Sequence, residues 1–366
     1  MGVVTVGPAR ATASGAAPAP QPQCVSAPPA AVTYSVTQAP VATNPRLVDL
    51  TFDSTAVDSY METTYKRPPH VYVLEPSDYN TAPTGTKWPV IYLLHGHGGS
   101  YQDWVNPTAG NVQAIIDNSA LAGRAFVVMP DGGYDGFYSD WLGLDADGHN
   151  GSGASGATEP LWQQFHMDEV MPWIDSHFPV ATGPADTAIA GLSMGGFGAM
   201  SYAALYPGTF GWAGEFSGAV DSDVYWPVGS SVEGEAVNLP DGKAPDNCIW
   251  GDPVVDHAVW EEHDPTALAA DLGATENQGI KLYLASGNGA PDTNPQPGEP
   301  AWSPGAAGIE QGVYQENYNF DRALVAAGIT PSVVDFYPYG THDWFYWRND
   351  LAGFLSLLGR SSFPSP

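Results

Sequence analysis

Runs of apolar residues recur along the chain, and the spacing within them changes from one run to the next. Leu47-Val48-Asp49-Leu50-Thr51-Phe52 alternates apolar with polar, the period of a strand with one face buried. His70 to Leu74 reads as a second strand, closed by Pro76, and Asn80 to Lys87 is turn sequence. Val90–Leu94 and Ala125–Met129 are continuously apolar, as a strand must be when both its faces are covered. The second of these stops at Pro130-Asp131-Gly132-Gly133. Further strands are expected at Thr187–Ala190, Phe210–Phe216, Ile280–Ala285 and Ser332–Tyr337.

Between these runs the spacing turns helical. Asn111 to Ala122 has it, and so does Pro160 to His177, where Leu161, Phe165, Val170 and Trp173 mark the apolar side. Another helix leaves Gly191 and fades before Pro207, and one more covers Glu310 to Ala327. Strands alternating with helices predict an α/β fold with a mostly parallel central sheet and helices on both faces. Residues 1–45 are Ala/Pro-rich and read as a disordered lead-in, leaving 46–366 as a single domain. Residues 221–263 break the rhythm with Gly, Pro, Asp and several Trp and Tyr. They are expected to form an insertion over the top of the sheet that shapes a pocket, or else a long surface connection.

Composition narrows the function classes. At 366 residues and 43% hydrophobic, the chain can bury a sizeable core. Forty acidic residues against eleven Lys plus Arg give a formal charge of -29, a surface that repels nucleic acid and anionic membranes. No apolar run reaches the roughly 18 residues of a transmembrane helix. Cys24 and Cys248 fit one disulfide in an oxidising compartment, or two unpaired thiols. Met1 to Gln23 lacks the basic start and apolar core of a signal peptide, but its Ala/Pro content suits a segment following a cleavage site. The expected location is therefore secreted or in the cell envelope, with the printed start lying inside or beyond a longer leader.

The chemistry centres on Gly191-Leu192-Ser193-Met194-Gly195, a G-x-S-x-G pattern entered from a strand and left by a helix. Such a turn strains the nucleophile's backbone, demands small neighbours and lifts the hydroxyl above the sheet edge. A serine hydroxyl needs a base, and in this arrangement the base comes last in chain order. His342, the last of nine histidines, follows the final strand in Pro338-Tyr339-Gly340-Thr341-His342, whereas His257 and His263 precede the last two strands. The acid should follow Ile280–Ala285, where spacing leaves both Asp292 and Glu310 open. Two backbone amides should stabilise the oxyanion: Met194, after the nucleophile, and His97, in His95-Gly96-His97-Gly98-Gly99. No third ligand accompanies His95 and His97 in sequence, so a metal pair is not the expected reading, and no cofactor is implied. Trp344, beside the base, and Trp104 either line a substrate pocket or pack in the core.

Phe137-Tyr138-Ser139-Asp140-Trp141, Gly191-Leu192-Ser193-Met194, Gly287-Asn288-Gly289 and Gly340-Thr341-His342-Asp343-Trp344, with Tyr346-Trp347, carry a family resemblance. From about Pro89 to Leu351 the chain resembles the esterase family of α/β hydrolases that contains the antigen 85 mycolyltransferases, also described as diacylglycerol acyltransferases. The resemblance implies Glu310 as the acid, since Ile309-Glu310-Gln311-Gly312 matches the family's glutamate, with Phe320 and Ala327-Gly328 in step. It also implies acyl transfer in an actinobacterial envelope. Two positions depart from it. His95 and Gly98 stand where the mycolyltransferases place an aspartate and an arginine that help hold trehalose. The His-Gly-x-Gly-Gly form is more like general esterases, including feruloyl and acetyl esterases and S-formylglutathione hydrolases.

The expected function is a serine-dependent acyl-ester enzyme that forms an acyl-enzyme and passes the acyl group from an ester donor to an alcohol or to water. A secreted carboxylesterase that only hydrolyses is the near alternative. A peptidase, or a non-catalytic cell-wall binding protein on the same scaffold, is a more distant one.

Overall fold

The computed structural model describes residues 32–142, 160–222, 249–251, 256–274, 277, 279–360 and 363. Nine strands form one sheet: β1 Tyr34–Pro40, β2 Leu47–Ser54, β3 His70–Leu74, β4 Val90–Leu94, β5 Phe126–Pro130, β6 Thr187–Leu192, β7 Trp212–Phe216, β8 Lys281–Gly287 and β9 Val333–Tyr337. Their order is β1-β2-β3-β5-β4-β6-β7-β8-β9. The three pairings from β1 to β5 are antiparallel, and every pairing from β5 through β9 is parallel. This is the α/β hydrolase arrangement.

The central strands show why continuous apolar runs were needed. Every residue of β4, β5 and β6 is buried, because helices cover both faces of the parallel part. One face holds a core cluster that includes Tyr92, Phe126, Phe165, Phe197 and Trp250. The other packs Leu93, Val127, Trp212 and Phe216 against Trp347, Leu351, Phe354 and Leu358 of the helix Trp344–Arg360.

Several elements differ from expectation. The lead-in was taken to run to residue 45, yet Tyr34–Pro40 forms β1, paired antiparallel with β2 in register from Tyr34↔Ser54 to Pro40↔Val48. Its burial pattern is almost wholly exposed, so backbone pairing rather than a buried apolar face holds this edge. The stretch 160–177 is not one α-helix. It runs through Trp162–Gln164, a π-helical turn Phe165–Val170 and then Met171–His177. In that wide turn His166 reaches the Asp131 carbonyl through Nε2 (2.7 Å) and the Tyr202 hydroxyl through Nδ1 (2.9 Å). The helices Asp58–Thr64 and Trp344–Arg360 were not anticipated. Cys24, Cys248 and most of the 221–263 insertion lie outside the described residues. The part that is described includes Trp250, buried against Phe137 and Phe197, and the helix His257–His263.

Candidate active site

Parallel strands deliver their following loops to one edge of the sheet, and the chemistry-bearing residues gather there. Ser193 follows β6 at the middle of the sheet and starts the helix Met194–Leu205. Its backbone sits at φ 52° and ψ -122°, a conformation that side chains rarely adopt. The surroundings explain the flanking glycines. A Cβ on Gly191 would lie 2.2 Å from the Gly195 carbonyl oxygen, and one on Gly195 would lie 2.3 Å from that of Leu94.

The structure brings His342, from the loop after β9, to this serine. Its Nε2 lies 2.9 Å from Ser193 Oγ. Its Nδ1 lies 2.8 Å from Oε2 of Glu310, which projects from the helix Pro304–Ala326 after β8. Glu310 is completely buried, so its carboxylate depends on protein donors in place of water. Oε1 accepts the Gly287 amide (2.7 Å), the Ser217 hydroxyl (2.8 Å) and the Ser286 hydroxyl (3.3 Å). Asp292 is not brought to the histidine; its Oδ1 accepts the Asn294 amide within its own loop. Ser217 and Ser286 are not singled out by any sequence pattern. The Gly287-Asn288-Gly289 motif was the nearest signal, and its first glycine both donates to Glu310 and passes tightly under the Tyr339 carbonyl, 2.4 Å from where a Cβ would stand.

Glu215, buried at the end of β7, braces the same region. Its two oxygens accept the Gly218 and Ala285 amides at 2.8 and 3.0 Å. Burial pushes its carboxyl well above the usual range, and the nearby Asp350 and Glu310 carboxylates push it the same way.

On the other side of Ser193 lies the loop after β4. The Met194 amide opens its helix, where an N–H has no intrahelical acceptor. Neither it nor the His97 amide has a hydrogen-bond partner among the described residues. The backbone at His95 and Gly96 is braced by neutral groups. His95 Nδ1 donates to the Gly96 carbonyl (2.8 Å), and its Nε2 accepts the Gly132 amide (2.8 Å), so one ring spans two loops. Burial lowers its pKa, as it lowers that of His166 to about 4. The Tyr138 hydroxyl donates to the His95 carbonyl at 2.8 Å. Phe137 and Tyr138 both have positive φ, 45° and 52°, which turns the Phe-Tyr-Ser-Asp-Trp segment so that Phe137 faces the cavity while Tyr138 packs beneath the loop.

The cavity over Ser193 measures about 490 Å³. Phe137, Leu192, Met194, Ala219, Ile309, Trp344 and Trp347 give it apolar lining, and His97, Asp103, His342 and Asp343 give it polar lining. Trp344 therefore lines it, as one reading of the sequence had it, and Trp347 joins it unforeseen. Trp104 is corrected: it is fully buried and packs edge-on against Trp344, ring centroids 5.1 Å apart, supporting the lining from below. A hollow of about 550 Å³ between Asn111–Ala120 and Ala352–Ser356 carries no titratable lining residue. Among the described residues no group of three His, Cys, Asp or Glu is placed to hold a metal ion, and no helix is long and apolar enough to cross a membrane.

Comparison with known proteins gives the family. The Esterase family model matches residues 62–358. The chain is 31% identical over 292 residues to the diacylglycerol acyltransferase/mycolyltransferase Ag85B of Mycobacterium leprae (strain TN), covering 76% of this chain and 79% of that protein. Among solved structures it is similar to MPT51 (FbpC1) of Mycobacterium tuberculosis, with TM-score 0.56 and 25% identity over 80% of this chain and 93% of that one. The fluorophosphonate-binding serine hydrolase FphF of Staphylococcus aureus shares the fold, with TM-score 0.58 and 18% identity over 90% and 99% of the two chains. The chain belongs to the esterase family of α/β hydrolases, with the antigen 85 acyltransferases among its relatives, and is an enzyme that acts on acyl esters.

Proposed function

We propose that the protein is a serine-dependent, antigen 85-like acyltransferase or esterase that works through an acyl-enzyme. The observation that carries this reading is the hydrogen-bonded row Ser193–His342–Glu310, set beside two unpaired amides at the mouth of a largely apolar cavity. His342 Nε2 takes the Ser193 proton as Oγ bonds to the ester carbonyl carbon. The carbonyl oxygen becomes an oxyanion, stabilised by the His97 and Met194 amides; one such donor is worth about 3 kcal/mol. Glu310 holds His342 in the tautomer that exposes Nε2 and stabilises the imidazolium. The imidazolium then protonates the departing alcohol as the acyl–oxygen bond breaks. In the second half an incoming alcohol or water gives its proton to His342 and takes the acyl group from Ser193.

The apolar lining suits the acyl chain. The loop His95–Gly99 favours the hydrolytic version, because His95 and Gly98 replace the aspartate and arginine that help hold trehalose on the antigen 85 pattern. A labelled acyl donor, offered with and without trehalose or diacylglycerol, separates the two: transfer yields new acylated acceptor, hydrolysis only free acid. Full ester turnover by Ser193→Ala sinks both. A peptidase would favour p-nitroanilides over p-nitrophenyl esters, and a non-catalytic scaffold would leave a fluorophosphonate probe unreacted. We infer a secreted or cell-envelope location from the Ala/Pro-rich composition of residues 1–45 and the pair Cys24 and Cys248.

A further inference from the structure

The cavity contains a second imidazole–carboxylate pair that the proposed chemistry does not use. His97 Nε2 faces the carboxylate of Asp135, from the loop after β5. The two ends of the pair differ sharply in access: the Asp135 carboxylate is 1% exposed and the His97 ring 25% exposed. The ring packs edge-on against Tyr134, centroids 4.9 Å apart, and the Tyr134 carbonyl accepts the neighbouring Gly98 amide. The imidazole is therefore locked from one nitrogen and one face. A carboxylate oxygen accepts, so in the neutral form of the ring the hydrogen sits on Nε2 and the lone pair at Nδ1. Nδ1 has no partner among the described residues, and His97 lines the cavity over Ser193.

We propose that His97 Nδ1, positioned by Asp135, accepts a hydrogen bond from a hydroxyl on the alcohol portion of the substrate, making the site selective for esters of neutral polyols. The inference rests on the ester chemistry proposed for Ser193. The lining divides by chemistry: Phe137, Leu192, Met194, Ala219 and Ile309 suit an acyl chain, which leaves the polar groups for the alcohol. Those groups are His97 together with the Asp103 and Asp343 carboxylates, which disfavour an anionic alcohol and tolerate a hydroxylated one. The side chain also belongs to the residue whose amide faces the oxyanion, so its reach is to atoms near the scissile carbonyl.

The test compares two esters with one acyl chain, glyceryl monobutyrate and ethyl butyrate, in the unaltered protein, His97→Leu and His97→Asn. The readout is the glyceryl-to-ethyl ratio of kcat/KM, which general damage to the loop leaves alone because it lowers both terms. The ratio should fall about tenfold in His97→Leu, the worth of one hydrogen bond. It should largely return in His97→Asn, whose Oδ1 stands near the Nδ1 position. An unchanged ratio in His97→Leu, or no recovery in His97→Asn, overturns the proposal. Absence of turnover of either ester by the unaltered protein sinks the Ser193 chemistry and this selectivity with it.

Discussion

The two sides of Ser193 are braced by different electrostatic means. On one side a buried carboxylate, Glu310, accepts hydrogen bonds from three donors and faces His342. On the other, the carbonyls of the loop His95–Gly99 are held by a neutral imidazole and a phenol, those of His95 and Tyr138. On the proposed chemistry the difference follows from what each side must do. The imidazolium that forms during catalysis needs a fixed negative partner, whose burial is tolerable only when its lone pairs are satisfied. The oxyanion needs donors that nothing else occupies, so the groups bracing that loop bind its carbonyls and a neighbouring amide and leave the His97 and Met194 N–H groups open.

Breaking the charged side should have the largest effect. Glu310→Gln keeps the shape but no longer fixes the imidazole tautomer, and kcat on p-nitrophenyl butyrate should fall by about 10³–10⁴. Breaking the neutral side should cost less, because no charge is stranded. His95→Phe removes the link between Gly96 and Gly132 and should lower kcat by about 10², the cost of misplacing a positioned group. Initial-rate kinetics on the two variants checks both.

His166, beneath the Asp131 turn, makes a pH prediction. The folded-state pKa of His166 is depressed to about 4. Its contribution is present above the ordinary value of 6.5 and is lost as pH falls towards 4, because the unfolded chain binds a proton that the fold excludes. The loss amounts to at most about 3 kcal/mol across that window. Denaturant titrations should show the unfolding free energy of the unaltered protein dropping more steeply from pH 6.5 to 4 than that of His166→Gln; equal slopes refute the neutral-ring account. Tyr138→Phe removes one hydrogen bond to the His95 carbonyl and should lower kcat about fivefold. Asp292→Asn should change activity less than about twofold, a surface-loop effect. A loss as large as that of Glu310→Gln would overturn Glu310 as the acid in favour of Asp292.

Legibility tracked burial. β4, β5 and β6 were readable because strands covered on both faces must be continuously apolar. β1 was not, since an exposed edge strand held by backbone pairing leaves no such trace in an Ala/Pro-rich stretch. At the site, Ser193, His342 and the two amides could be marked from a tight glycine turn, chain order and one loop. Trp104 and Trp344 could not be told apart, because an indole suits a core and a pocket wall equally and the direction of each ring depends on what packs behind it.

What the chain alone determined was local: the strained turn at Ser193 with its obligatory glycines, the alternation of strand and helix, and the chemical types available after each strand. What tertiary structure decided was proximity. Glu310 lies 32 residues before His342 and Ser193 lies 149 before it, and their meeting depends on parallel strands opening onto one sheet edge. The contact of His342 with Glu310 and not with Asp292, the three donors on the Glu310 carboxylate and the pairing of His97 with Asp135 all arise there. Hydrogen bonds act over about 3 Å, so separations this long in sequence become chemistry only when the packed core brings the loops together.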